Sequence, residues 1–269
     1  MIYLKTIFTC PNEVKYLKLN LKESFNYIDK FIICEFNRTH IGSEKELIFE
    51  QYLQEFTQEE QKKIIYIGAD ISHLAIYEPD NNEIIHNNER LMRGYFVKQL
   101  DLNGNDVVFS VDADEIIFGQ YYEKVLKKIG FFTKAILLPL HQFFYRINYL
   151  WDNNTFIAPT VSKVSYYKNV YPAQWRYDGK LFSEKAGCHF SWCLTIDEMI
   201  AKLGMYSHHK DYRHLAKKEV LEDAVKNKTY PFDRKVDFHI KVIDFYRDKE
   251  FFPVSIYTML DEFKYLISE

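Results

Sequence analysis

Residues 106–115 read Asp-Val-Val-Phe-Ser-Val-Asp-Ala-Asp-Glu, an apolar run that ends in three carboxylates. A short continuous apolar run is the pattern of a strand buried on both faces of a parallel sheet. In open α/β sheets ligands bind outside the carboxyl ends of the strands, which is where Asp112, Asp114 and Glu115 fall. In an extended backbone Asp112 and Asp114 would project from one face. Two carboxylates on one face suit a hard divalent cation that keeps phosphate oxygens among its ligands. The same residues could equally be an acidic turn after a core strand.

The segments around this strand set the fold class. Ile2–Thr9 reads as a strand, and Pro11 suits the first turn of a helix that follows. Val14, Leu17, Leu21, Phe25 and Ile28 recur at helical spacing and predict one apolar face. Further strands are expected at Phe31–Cys34 and Ile64–Ile67, with a helix over Glu89–Leu100. This alternation predicts an α/β fold with a mainly parallel, Rossmann-like sheet flanked by helices. After Phe118 the reading is strands at Ala135–Leu140, Phe143–Leu150 and Val161–Tyr167, then helices at Ile196–Leu203 and Asp211–Lys226 and a helical, aromatic tail. No linker or repeat interrupts the chain. A single domain over 1–269 is expected, its alternating half (1–117) followed by a half of changed pattern (118–269).

Composition narrows the function. Hydrophobic residues make up 47% and charged residues 27%, as in ordinary globular proteins. The net charge of −3 argues against a nucleic-acid partner. No apolar run approaches the roughly 20 residues that span a bilayer. Met1–Lys5 opens into a strand without a signal-peptide pattern, so the expected location is cytoplasmic, or peripheral to a membrane. Cys10, Cys34, Cys188 and Cys193 form no Cys-x-x-Cys pair and are expected to be reduced thiols. Cys188-His189 with Cys193 imitates a zinc site without an evident fourth ligand. Neither GxGxxG after a strand nor GxxxxGK[ST] occurs, so phosphates are expected on a metal and basic side chains. Aromatic residues, with 21 Tyr and 22 Phe, are expected mostly in the core, some along a cleft.

A second unusual stretch is Gly187-Cys-His-Phe-Ser-Trp-Cys193, followed later by Lys202-Leu and Ser207-His208. Taken with Asn12-Glu13, Cys34–Gly42, Glu46–Phe49, the Glu89/Arg93 pair and Asp112-Ala-Asp-Glu115, these residues resemble glycosyltransferase family 17, the β-1,4-mannosyl-glycoprotein 4-β-N-acetylglucosaminyltransferase family. The likeness spans roughly residues 7 to 245. It departs from the family pattern at Cys188, where the family has tryptophan, and at Ile117, where it has proline.

The resemblance implies a GT-A type fold and inverting transfer of a sugar, N-acetylglucosamine in the family, from a UDP-sugar to a glycan or glycoconjugate acceptor, with Mn²⁺ or Mg²⁺. On that reading Asp114 is the direct metal ligand, and Asp112 binds the metal through water or holds the ribose. His189 or His208 completes the shell, unless either is a structural histidine. Arg93 and Arg176 contact phosphate or uracil, or are surface or salt-bridge arginines; Glu13 and Glu35 lie near the base and ribose, or cap helices. The acceptor's general base is Glu115, Asp197 or Glu198, with Glu115 preferred as part of the shared signature. Two other readings stand beside this one: a phosphatase of the haloacid dehalogenase type, which also places Asp-x-Asp after an apolar strand, and a carbohydrate-binding homologue without activity.

Overall fold

The computed structural model describes residues 1–130, 133–205, 209–233 and 235–268. The strands are β1 (Ile2–Phe8), β2 (Lys30–Phe36), β3 (Ile64–Ala69), β4 (Val107–Ser110), β5 (Glu115–Ile117), β6 (Ala135–Phe144), β7 (Tyr149–Trp151), β8 (Phe156–Lys163), β9 (Lys180–Leu181), β10 (Gly187–Ser191) and β11 (Ile240–Val242). The helices are α1 (Val14–Ser24), α2 (Gln58–Lys63), α3 (Asn82–Gly94), α4 (Phe96–Gln99), α5 (Tyr122–Leu126), α6 (Val164–Asn169), α7 (Ile196–Met205), α8 (His209–Tyr212), α9 (Lys218–Asn227) and α10 (Leu260–Phe263).

One path of hydrogen-bonded neighbours runs β11-β7-β6-β8-β4-β1-β2-β3. The parallel expectation holds for β4-β1-β2-β3. Beyond β4 the sheet is mixed: β8 runs antiparallel to both β4 and β6, while β10 runs parallel to β6 and antiparallel to β5. The expectation of a mainly parallel sheet is therefore corrected to a mixed one. The physical reason is β8, which inserts between β4 and β6 and runs antiparallel to both. Only residues 145–155, with β7 among them, join β6 to β8, too few for a helical crossover, so β8 returns antiparallel to β6. The notional border between residues 117 and 118 falls at the end of β5, whose partner β10 comes from the far half.

Each face of the parallel part has its own core. Leu17 and Leu21 of α1 pack with Leu4, Phe8, Phe31 and Phe109 on one face. Met92 and Phe96 of α3 and α4 pack with Tyr3, Ile7, Ile32 and Val108 on the other. A third, aromatic cluster gathers Phe143, Phe144, Trp151, Phe190, Phe252 and Phe263, which accounts for much of the aromatic excess. Truncating Leu17, which has no exposed surface, to alanine would cost about 2–5 kcal/mol.

Several boundaries differ from expectation. The helix read as Glu89–Leu100 begins at Asn82, because the Asn81 side chain accepts from the Glu83 and Ile84 N–H groups and caps it. The strand read as Val161–Tyr167 ends at Lys163, and α6 follows; Val164 N–H donates to Asp106 O, while the Tyr167 hydroxyl bonds Thr160 O and Val108 O. Tyr145 takes φ 67 after Phe144 and divides what reads as one strand over Phe143–Leu150.

Candidate active site

In the order β3-β2-β1-β4, the chain leaves β1 toward β2 on one side and reaches β4 on the other, so a topological switch point lies between β1 and β4. The loops leaving those two strands carry Thr9–Glu13 and Asp112–Asp114. They open on a cavity of about 630 Å³ whose wall includes Thr9, Glu13, Arg38, Lys45, Glu89, Arg93, Asp112, Asp114, Arg176, His189, Trp192 and Lys202.

Residues 112–115 form a turn rather than the extended segment expected, with Glu115 N–H donating to Asp112 O. The turn is held from several sides. Asp112 N–H donates to Glu115 Oε2 at 2.7 Å, Asn20 Nδ2 to Ala113 O at 2.8 Å, and Phe190 N–H to Asp114 O at 2.9 Å. Gly187 allows β10 to lie this close, since a Cβ there would sit 2.0 Å from Ile116 O. The turn sends the two aspartates to different partners.

Asp112 faces arginine. Arg93 Nη1 donates to its Oδ1 at 2.6 Å and Arg93 Nη2 to its Oδ2 at 3.0 Å, a bidentate pairing; Arg176 Nη2 adds a bond to Oδ2 at 3.0 Å. Burial opposes its charge, but the Arg176 and Arg93 guanidiniums outweigh it and hold the carboxyl well below the usual range. Glu89 accepts from Arg93 Nε at 2.9 Å. Its own pKa is lowered, with burial opposing and Arg93 prevailing.

Asp114 faces an imidazole and an ammonium. Its Oδ1 lies 3.6 Å from His189 Nε2 and its Oδ2 3.4 Å from Lys202 Nζ. Burial works against ionisation, yet Lys202 and His189 bring its pKa down to about 2. His189 is nearly buried against the Phe156 ring, 3.9 Å between centroids, and its Nδ1 has no hydrogen-bond partner. Trp192 follows Ser191 with φ 56, a left-handed conformation rare for so bulky a residue, and its ring lies 5.3 Å from Lys202 Nζ.

The donor set bears on the expected cation. Among the described residues no group of three or more His, Cys, Asp or Glu could hold a metal alone. Asp114 and His189 offer one carboxylate oxygen and one imidazole nitrogen at the cavity wall. That set fits a hard ion whose remaining ligands are water and substrate phosphate, and it does not fit a closed structural cage.

Other candidate residues lie elsewhere or act differently. Glu115 has no exposed surface and does not line the cavity. It bonds Arg176 Nη2 and the Asp112 N–H, and burial, countered by Arg176, raises its pKa. The preferred base is thus an anchor for the turn and for Arg176. Asp197 is exposed at the start of α7. Glu198 bonds the Thr195 N–H while the Thr195 hydroxyl accepts from Glu198 N–H, a capping box. Glu35 is also buried and away from the cavity, accepting from Ile48 N–H, Phe49 N–H, Lys45 Nζ and Tyr66 Oη. Of its two expected roles it takes the cap, at the start of the helical turn Phe49–Glu55. Glu13 does line the cavity, held by Thr9 N–H at 2.7 Å and Thr9 Oγ1 at 2.8 Å, and burial raises its pKa to about 7. His208 and Ser207 lie outside the described residues. Thr9, Trp192 and the cavity-facing role of Lys202 were not singled out from sequence, because only the packing of α7 and β10 brings the last two to the wall.

The fold and cavity define an α/β protein with a charged cleft at its switch point. The chain belongs to glycosyltransferase family 17, whose sequence profile matches residues 3–232. It is a transferase of sugar groups by that membership. No curated protein matches the chain. Solved structures similar in fold include 4-diphosphocytidyl-2C-methyl-D-erythritol synthase from Anaerococcus prevotii, at 15% identity over 76% of this chain and 95% of that one, TM-score 0.43. A protein described as a nucleotide-diphospho-sugar transferase, from Desulfovibrio desulfuricans, matches at 10% identity over 84% and 95%, TM-score 0.39. These likenesses are loose and carry no functional weight. No helix of the described residues is long and apolar enough to cross a membrane.

Proposed function

We propose that this chain is a GT-A type, metal-assisted, inverting glycosyltransferase working as one domain. It moves a sugar, N-acetylglucosamine by family likeness, from a UDP-sugar to a glycan or glycoconjugate hydroxyl. One observation carries the reading: at the switch point, a single cavity holds the Asp114–His189 pair beside the Arg93–Asp112–Arg176 cluster. A nucleotide diphosphate needs both parts, a cation site and guanidiniums that fork onto oxygen pairs. Asp114 and His189 would hold Mn²⁺ or Mg²⁺, which neutralises charge on the departing diphosphate.

The chain's own residues divide the remaining work. Arg93 and Arg176 bind the diphosphate oxygens, with Asp112 as their resting partner. Glu13 removes the acceptor proton, replacing Glu115, Asp197 and Glu198 in that role. It lines the cavity, and among the described residues it is the cavity carboxylate without an ion pair. A pKa raised to about 7 by burial suits a base at neutral pH. Four free thiols accord with a cytoplasmic setting, at or near a membrane surface where glycan intermediates are assembled.

The phosphatase reading needs Asp112 as a free nucleophile, and its oxygens are engaged by two arginines. The test is a UDP-release screen across UDP-sugars with Mn²⁺ and Mg²⁺. Release of UDP with one donor supports the proposal; free phosphate from sugar phosphates would favour the phosphatase. Nucleotide binding without turnover on any acceptor would favour the inactive homologue.

A further inference from the structure

Lys5 is the only buried lysine among the described residues, with no exposed surface at all. It sits mid-way along β1, paired in register with Ile32 on one side and Ser110 on the other. Its carbonyl accepts the Val111 N–H at 3.0 Å, so its backbone braces the residue just before Asp112. Its Nζ has no hydrogen-bond partner and lies 5.6 Å from the centroid of Phe96. It does not reach the cavity.

An unpartnered ammonium in an apolar interior is costly, and an apolar side chain of similar size would be cheaper there. Breaches of this kind are expected where function demands them. The charged and titratable groups that act on Lys5 are Cys34 on β2, Arg93 on α3, Asp112 after β4 and Arg176 from the segment between α6 and β9. Burial lowers the lysine's pKa to about 8, which still leaves most of it charged at neutral pH.

Arg93 and Arg176 supply every side-chain hydrogen bond to the Asp112 carboxylate among the described residues. A diphosphate that recruits those guanidiniums strips Asp112 of its partners. The Asp112 side chain keeps 31% of its surface exposed, so it would be left partly hydrated but without a counter-ion. Lys5 offers a positive charge that the incoming ligand cannot reach and therefore cannot take away. We propose that Lys5 is a positioning residue, a buried counter-charge that lets Arg93 and Arg176 pass from Asp112 to the phosphates of the donor. The inference rests on the UDP-sugar reading above and adds a residue to it.

Calorimetric titration of the full chain with UDP, together with thermal melting, tests it in wild type, Lys5→Met and Lys5→Arg. The expected result is a Lys5→Met protein that melts no lower than wild type yet binds UDP about tenfold more weakly. Lys5→Arg, which keeps the charge, is expected to recover most of the affinity. Equal UDP affinity in wild type and Lys5→Met overturns this inference alone. A Lys5→Met chain that does not fold also overturns it, since the lysine would then be structural. A wild type that fails to bind UDP overturns the inference and the nucleotide reading together.

Discussion

Asp112 and Asp114 are separated by one alanine, yet their surroundings have little in common. Asp112 meets two guanidiniums, one bidentate, within a wider cluster containing Glu89 and Glu115. Asp114 meets one imidazole and one ammonium at 3.6 and 3.4 Å, longer and looser contacts. The turn at 112–115 makes the difference, because it sends one carboxylate toward α3 and the other toward β10 and α7. The lesson is that an Asp-x-Asp pair need not act as a pair. One member here serves as the seat of an arginine clamp, while the other lies between an imidazole and an ammonium, where the proposed function assigns it a cation.

The largest effect is expected from removing Asp114. Asp114→Ala is expected to lower transfer by about 10³-fold, the range for losing a principal electrostatic stabiliser. Steady-state kinetics with Mn²⁺ would show it, and loss of less than about tenfold would erase the distinction between the two arms. Glu13→Gln is expected to lower kcat by about 10²-fold while UDP affinity stays near wild type. The sign of the pH effect follows from the base being active when deprotonated: the wild-type rate should climb as pH rises through about 7, and the variant should lack that step.

Arg176→Ala tests the other arm. It should weaken UDP binding about tenfold and also destabilise the chain by about 3 kcal/mol, because Glu115, with no exposed surface, loses its guanidinium. Denaturant melts and calorimetry on the same preparation would separate the two effects. The least effect on ligand is expected from Glu35→Gln. It should lower stability by about 2 kcal/mol through weakened bonds to Ile48 and Phe49 N–H, leaving UDP affinity unchanged. Weaker UDP binding in that variant would return Glu35 to the site.

The parallel part of the molecule was legible because its signals are local. Val14, Leu17 and Leu21 declare a helical face, Ile2–Thr9 and Phe31–Cys34 declare buried strands, and all are buried apart from Ile2 and Thr9 at the ends of the first. The strand ends pointed to Asp112 and Asp114, and the family resemblance to Glu13 and Arg93; all four line one cavity. His189, from the unusual 187–193 stretch, and Arg176 also reach that wall. What sequence concealed depends on pairing at long range. The path from β4 to β8, the placement of β10 against β5, and the turn at 112–115 are each fixed by contacts more than two dozen residues away in sequence or by side-chain bonds such as Asn20 to Ala113. Glu35 and Glu115 looked like site residues because they end or follow strands. Their burial beneath loops that sequence periodicity does not report turned them into anchors instead.

The most direct test of the divided acid pair is calorimetric UDP binding with and without Mn²⁺, in wild type and in Asp114→Ala. The expected outcome is that Mn²⁺ tightens UDP binding to the wild type, and that the alanine variant keeps its metal-free affinity but loses the gain. Identical affinities with and without Mn²⁺ in the wild type would contradict the account.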